Sequence, residues 1–587
     1  MYFKEAVKIP DIPGKIIRRK RRETIYIEYQ YGSDYDKQKQ YAIPRRAVIG
    51  KALDETSDMM FPNEKYFEYF PDDSIPQFRN SSDRSCGLNI GAWVVIDKII
   101  QEYHLDSLVG NEVDDKPGLL LDLAAFMIIT EDNANFYYPD YAFNHPLFSN
   151  DMTIWSDVTV SKFTHNITLD QRVNMLNAWN DDKDHRQKIY ISYDSTNKNC
   201  QAGDVEIAEW GKPKVDIGTP QINISIAYDR TNSVPLFYED YPGSINDASQ
   251  FQHTVEKVFA YGYRNIGFIL DRGYFTKANL EYLDDKNYGF IIMLKGRKSL
   301  VAEIVMEKRN TFETARKNYI RGYNAYGITV KRPLFTGETK NRYIHLYYNV
   351  KRQAAEQEAL ERALEKTKRE LEKNIMKKVE VSKDVLKLFD VGFNKDGELL
   401  YYAEKEDEIE RLIQLCGYFC IVTSNKMSAQ DALKLYKSRD ESEKLFRADK
   451  SFLGSSSMRV HSSESVHNKI FIEFIALIIR SRMFTLLHAL KVTQHRKVNY
   501  LCVPKAIQEL EKIQMVREAD GIYRMDHAVT ATQKTILSAF GMDEKDVWKK
   551  SLEISRMLSE STPAEEDFEH VEDDEEDYDE DTYDDIY

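Results

Sequence analysis

The sequence predicts an α/β protein whose strand-and-helix core is interrupted by a β-rich insertion and flanked by helical and basic regions. Three observations predict it. Residues 186–310 read as three strands, a helix, a strand, a helix and a strand, the alternation from which a mixed sheet with helices on its faces is built. Residues 86–185 carry long apolar runs of helical character. The interval 311–424 holds four strand candidates around one charged helix. The boundaries that follow are a basic strand-rich module (1–85), a helical domain (86–185), the core's first part (186–310), the insertion (311–424), the core's second part (425–495), a C-terminal helical region (496–560) and an acidic tail (561–587).

Length and charge bound the function. A chain of 587 residues supports several domains and a large core. The formal net charge is −15, yet Glu560 to Tyr587 holds 16 acidic residues and no Lys or Arg; setting those aside leaves +1 for the rest. The body is therefore near neutral with local basic clusters suited to nucleic acid, and the tail reads as disordered. The five cysteines (Cys86, Cys200, Cys416, Cys420, Cys502) show no CxxC pair or zinc spacing, as expected in a reducing cytosol. MYFKEAVKIP does not read as a signal peptide. The most apolar run, Ile470 to Ile479, contains Glu473 and is too short for a bilayer. A soluble intracellular protein is expected.

In the first module, Arg18, Arg19, Lys20, Arg21 and Arg22 precede the alternating run TIYIEYQY. Five contiguous basic residues beside tyrosines suit phosphate contact and base stacking; a solvated edge strand protected against aggregation is the other reading. In the helical domain, Ala92–Ile100 and Leu119–Ile129 are core-like, as are Trp93 and Trp155. The core opens with KIYISYDST, a strand expected to end at Asp194, followed by INISIAYD and SVPLFYEDY joined by a tight turn at residues 229–232. A helix over 244–260 has Ser244 or Asn246 as N-cap. Ile266–Leu270 is a continuous apolar run, as in a central strand, and Asp271 stops it. Thr276 caps KANLEYLDD, and YGFIIML is the next strand. Each aspartate taken singly suits a turn.

Tyr436 to Lys450 reads as one helix, free of Pro and Gly. At about 100° per residue, Tyr436, Arg439, Glu443 and Lys450 fall on one face within roughly 60°. A phenol, a guanidinium, a carboxylate and an ammonium in one stripe suit phosphates and a metal; a solvated face with i,i+4 ion pairs is the plain alternative.

Together, YDST around Asp194, LDRGYFTKANL around Asp271 and the Tyr-x2-Arg-x3-Glu-x6-Lys spacing of Tyr436, Arg439, Glu443 and Lys450 resemble the DDE transposases of bacterial insertion sequences, of the insertion-sequence-4 type and its 1634-like branch. The resemblance covers about residues 186–490. It implies a ribonuclease-H-like catalytic core and a β-rich insertion domain between Asp271 and Glu443. It implies Asp194, Asp271 and Glu443 as catalytic residues holding two Mg²⁺ ions (Mn²⁺ an accepted substitute), with Asp194 bridging the pair. Tyr436, Arg439 and Lys450 are then the phosphate ligands, with Arg272 and Asn279 as further candidates. The implied partner is double-stranded DNA, both terminal inverted repeats and target, bound by a homodimer in the synaptic complex; the implied setting is the bacterial cytoplasm at the nucleoid. The implied reaction is hydrolysis at the element ends, then attack of the freed 3′ hydroxyl on DNA. Relatives pass through a hairpin and stack a flipped base on a Trp. No Trp lies between Trp210 and Trp548 here, which leaves Tyr274 or Phe275 for that role. A transposase-derived DNA-binding regulator and a nuclease on the same fold are the alternatives.

Within the insertion, GYNAYGITVKRPLF, RYIHLYYNV, ELLYYAE and GYFCIVTSN are the strand candidates. Arg352–Lys378, with Leu360, Leu364, Leu371 and Ile375 in register, is either a coiled-coil arm or an amphipathic helix folded onto the insertion. After Lys450, Arg459, His461 and His467 lie in a polar loop suited to DNA contact or to solvent. A buried helix is expected from Asn468. Its Glu473 is the rival third carboxylate, more naturally paired inside the helical layer.

Overall fold

The computed structural model describes residues 6–21, 24–36, 41–52, 54, 57–71, 84–202, 205–211, 218–294, 298–439, 458–460, 462–494, 498–518 and 521–560. They form two compact units, one of residues 1–87, 515–525 and 549–587, the other of 88–514 and 526–548. Among the described residues, no helix is long and apolar enough to cross a membrane.

In the first unit, β1 (Val7–Lys8), β2 (Ile16–Arg21), β3 (Thr24–Asp36), β4 (Tyr41–Ala52) and β5 (Met59–Pro62) form an antiparallel sheet in the order β1-β5-β4-β3-β2. Ile27, Ile49, Met60, Tyr66 and Phe67 make its core. β2 is an edge strand, and its Arg18, Arg19, Lys20 and Arg21 are all exposed. Arg19 and Arg21 reach the buried Glu28 at 3.4 and 3.3 Å, and Arg18 donates to the Ser57 carbonyl at 2.6 Å. Arg22 lies outside the described residues.

A short strand β6 (Gly87–Asn89) leads into the second unit. Six helices between Gly91 and Asp181 form a helical region, as the apolar runs predict. Trp93 is buried there, and Trp155 is half-buried with its indole N–H on Ser149. The nine-stranded sheet that follows contains β7 (Ile189–Asn199), β8 (Gln221–Asp229), β9 (Val234–Pro242), β10 (Ile266–Leu270) and β11 (Gly289–Met293), then β12 (Tyr319–Ile320), β13 (Ala325–Pro333), β14 (Asn341–Tyr348) and β17 (Tyr418–Thr423), ordered β12-β13-β14-β17-β11-β10-β7-β8-β9. β7, β8 and β9 are an antiparallel meander, whereas β10 runs parallel to β7 and β11 parallel to β10. The β8–β9 turn is set by Asp229, whose Oδ1 accepts from the amides of Thr231 and Asn232 at 2.7 and 3.2 Å. Asn246 caps the helix Asp247–Ala260, and Thr276 caps Lys277–Asp285.

Three expectations are corrected. First, Asp194 does not end its strand: β7 continues to Asn199, paired residue by residue with β8. The polar run Ser195–Asn199 stays in the sheet because its side chains find buried partners, such as Asn197 on Gln221 at 2.6 Å. Second, residues 311–424 do not form one β-rich domain. β13, β14 and β17 extend the core sheet beyond β11, and only residues 350–415 fold apart from it. That satellite packs Leu364 and Leu371 of the helix Val350–Lys373 against Phe389, Leu399 and Ile409, so the charged helix folds onto the insertion. Its two strands are β15 (Phe389–Phe393) and β16 (Leu399–Glu404). Third, the helix expected from Tyr436 starts at Ala429, capped by Ser428, and its last residue is Lys437, with Ser438 as C-cap. Residues 440–457, and with them Glu443 and Lys450, lie outside the described residues. The next helix also starts earlier than Asn468, running Ser463–Thr493 and buried continuously from Asn468 to Ser481. The described residues from 498 to 560 include the helices Val503–Leu510, Ala531–Ala539 and Glu544–Glu560 and a hairpin of β18 (Gln514–Arg517) and β19 (Tyr523–Met525); the tail from 561 lies outside the described residues.

Candidate functional site

Strand alternation assigns the two faces of the sheet. Tyr193 and Phe268 point toward the helix Asp247–Ala260, with ring centroids 5.4 Å from Phe251 in both cases. Tyr190 and Ile269 point the other way, into a core shared with Ala432, Leu433 and Tyr436 of the helix Ala429–Lys437. Asp194 falls in phase with Tyr190, and Asp271 in phase with Ile269. The parallel register sets Leu270 opposite Tyr193, so Asp194 and Asp271 follow as the next neighbours across the β7–β10 pair. The sheet thereby brings two carboxylates from distant sequence to one place, on the face covered by that helix.

The surroundings hold them there. Asp194 Oδ1 accepts from the Ser195 amide at 3.0 Å. Asp271 opens a tight turn over Arg272–Tyr274 without using its carboxylate as a cap. That turn is tied back to β7 by Tyr274, whose buried hydroxyl donates to Ser195 Oγ at 2.9 Å. Burial pushes the Tyr274 phenol well above its ordinary range, with the negative charge of Asp247 and Asp194 acting the same way, so it remains a neutral donor. A Cβ at Gly273 would stand 4.0 Å from Asp271 Oδ2; the glycine leaves that side of the carboxylate without a side chain.

Arg439 completes the cluster. Its Nη1 is 4.0 Å from Asp194 Oδ2 and 3.9 Å from Asp271 Oδ1, and its guanidinium carbon sits 5.9 Å from the Tyr436 ring centroid. The donor set is two oxygen-only, partly exposed carboxylates on adjoining strands, already requiring a positive charge. That is the chemistry a hard divalent cation takes, and the residues fit one. No group of three or more His, Cys, Asp or Glu that could hold a metal occurs among the described residues, which do not include Glu443.

Other predicted site residues fare differently. Arg272 is exposed beside Asp271. Tyr436, expected as a phosphate ligand, is buried at 5% exposure in the helix–sheet core, with the Arg439 guanidinium over its ring. Asn279 is likewise covered. It is buried, and its amide donates to the Ala248 and Tyr274 carbonyls at 3.0 and 3.2 Å while accepting from Gln252; it holds the turn after Asp271 against the neighbouring helix. Tyr274 is too buried to stack on a base, and Phe275 stacks on Phe335.

Glu473 is buried and paired with Lys198 of β7, with Asn133 donating to its other oxygen at 3.3 Å. It is a structural anchor, as its apolar helix suggests. Sequence reasoning missed its partners Lys198 and Lys469. Burial pushes the Lys469 ammonium down to about 8, and the same group donates to the Met458 carbonyl at 2.7 Å, where Met458 in turn bonds Asn199 at the end of β7. The signal available was the i,i+4 pair of Lys469 and Glu473 within an otherwise apolar run.

The family model described as the transposase DDE domain matches residues 186–479, the span from the start of β7 into the long helix. No curated protein matches the chain. Among solved structures, a piggyBac transposase synaptic complex with hairpin DNA aligns over 64% of this chain and 58% of that one, at 9% identity and a TM-score of 0.25. A Mos1 transposase paired-end complex with left transposon end and a pre-cleavage Mos1 transpososome each align over 41% of this chain and 69% of theirs, at 12% and 11% identity and TM-scores of 0.13. This chain thus spans little more than half the length of the first. The family match covers half the chain, from residue 186 to 479, and by it the chain belongs to the transposase DDE domain family.

Proposed function

We propose that the protein is a DNA transposase of the cut-and-paste kind, of the insertion-sequence-4 type and its 1634-like branch, acting on terminal inverted repeats and target DNA as a homodimer. The observation that carries this reading is the convergence of Asp194 and Asp271 on adjoining parallel strands with one guanidinium between them. The strand order β9-β8-β7-β10-β11, three antiparallel and two parallel, supports a ribonuclease-H-like core.

In this reading Asp194, Asp271 and Glu443 hold two Mg²⁺ ions, for which Mn²⁺ substitutes; bound there, they supply Lewis-acid stabilisation of the phosphoryl charge. Asp194 is oriented by β7, and Asp271 by the end of β10. Arg439, Arg272 and Lys450 are the phosphate-binding set: the first is poised at the carboxylates and the second is exposed beside them. Tyr436 and Asn279 keep supporting roles. The exposed basic edge of β2 is the proposed DNA contact of the first unit.

The test is cleavage of DNA bearing the element's inverted repeats with Mg²⁺. Asp194→Ala, Asp271→Ala and Glu443→Ala are each expected to abolish nicking and strand joining while band-shift affinity stays within about threefold, since each removes a ligand of the catalytic ion and not a main DNA anchor. Full activity in any of the three sinks the assignment. Cleavage without joining products would favour a nuclease instead.

A further inference from the structure

Two arginines in this unit meet aspartates in opposite ways. Arg342 is 2% exposed and clamps Asp284 through both terminal nitrogens, one at 2.8 Å; the pairing raises the guanidinium's pKa and lowers the carboxyl's. This is a locked fork. Arg439 differs. One nitrogen lies almost equally far from two different carboxylates, at 4.0 and 3.9 Å. Both separations exceed an N–H···O hydrogen bond, so the attraction to the aspartates is through charge and not through directed bonds. The side chain is 15% exposed, and it rests over the buried ring of Tyr436 at the C-terminal end of its helix.

A positive charge so placed answers a specific need. Asp194 and Asp271 sit on adjoining strands, and two carboxylates side by side repel unless a cation neutralises them. A divalent ion on the same oxygens and a guanidinium within 4 Å of both would repel each other in turn.

We propose that Arg439 is the resident cation of this carboxylate pair: it neutralises Asp194 and Asp271 while no divalent ion is bound, and gives up that place when one binds, leaving its guanidinium to meet a phosphate. The inference rests on the reading that these aspartates take a divalent ion. It goes beyond a phosphate ligand, because it makes Arg439 a competitor of the metal. Its fork would turn to the nucleic acid only once the metal has displaced it, so metal loading and phosphate capture are coupled through one side chain.

The experiment is a Mn²⁺ titration of the metal-stripped full chain, read from the paramagnetic resonance of free Mn²⁺, for the wild type, Arg439→Gln, Arg439→Met, Arg439→Lys and Asp271→Asn. Removing the competing charge is expected to tighten Mn²⁺ binding about tenfold in Arg439→Gln and Arg439→Met, while Arg439→Lys, which keeps a cation, stays within about twofold of the wild type. Asp271→Asn weakens binding. In chelator, both uncharged variants melt below the wild type, and saturating Mn²⁺ closes that gap. If Asp271→Asn weakens Mn²⁺ binding but the uncharged Arg439 variants bind no tighter than the wild type, the competitor role is wrong and the metal reading stands. If Asp271→Asn leaves Mn²⁺ binding unchanged, or no variant binds Mn²⁺, the metal reading fails and this inference with it.

Discussion

At the scale of single residues, chemistry was readable where it depended on residue type and unreadable where it depended on cover. Asp194, Asp271 and Arg439 come together in the structure. Tyr436 and Asn279 belong to the same motifs, but helical and strand periodicity tells which residues share a face, not whether another element lies over it. Both are covered. Asn279 gives a decisive test of that distinction. Asn279→Ala strips donors from the part-buried Ala248 carbonyl and the buried Tyr274 carbonyl, at about 1–3 kcal/mol for the buried acceptor left bare. The urea midpoint should fall without change in slope, while the folded protein's DNA affinity stays put. A phosphate ligand would show the reverse: normal stability and weakened binding.

At the scale of elements, local pattern located the core strands, named the capping residue Thr276 and offered Asn246, beside Ser244, as the other cap. It failed where partners were remote. The second half of β7 reads as a polar loop because Gln221 and Glu473, which satisfy Asn197 and Lys198, lie far along the chain. β14 carries a similar hidden polar group. His345 is fully buried and bonds Thr329 on one neighbouring strand and Thr423 on the other, at 2.9 and 3.0 Å. Burial pushes its imidazole from 6.5 down to about 4. The unfolded chain therefore binds a proton at this residue between pH 6.5 and 4 that the folded chain refuses. His345 lowers stability progressively as pH falls through that window and contributes no pH dependence above it. The full effect is about 3 kcal/mol. Denaturation midpoints from pH 7 to 4 should fall less steeply in His345→Gln than in the wild type; parallel curves would mean the histidine is protonated in the fold.

At the scale of the molecule, the basic amino-terminal cluster acquires a place: the edge of a five-stranded sheet, with Arg18 to Arg21 exposed. Sequence left open whether this charge serves nucleic acid or keeps an edge from pairing with other chains, and the two uses predict different measurements. With Arg18→Ala and Lys20→Ala combined, DNA binding at this edge predicts that the slope of log affinity against log salt becomes shallower by about 0.9 for each phosphate no longer neutralised. Edge protection alone predicts an unchanged slope and more light scattering at high protein concentration. The reach of the core sheet could not have been foreseen. β13, β14 and β17 look like strands of a separate module, and only long-range pairing with β11 makes them part of the core. Local pattern contains no information on which strand a strand will choose.

The junction of the satellite with that sheet has a consequence of its own. Tyr348 and Tyr418 are register partners on β14 and β17, and the Asn349 amide bonds the Gly417 carbonyl at 3.0 Å. The chain departs and returns at a single rung. A short hairpin loop could close that rung as well as residues 349–417 do, so the satellite is a detachable cassette on a scaffold that does not need it for continuity. Loss of residues 349–417 would leave unbroken the register that sets Asp194 beside Asp271, because β7 and β10 alone make it.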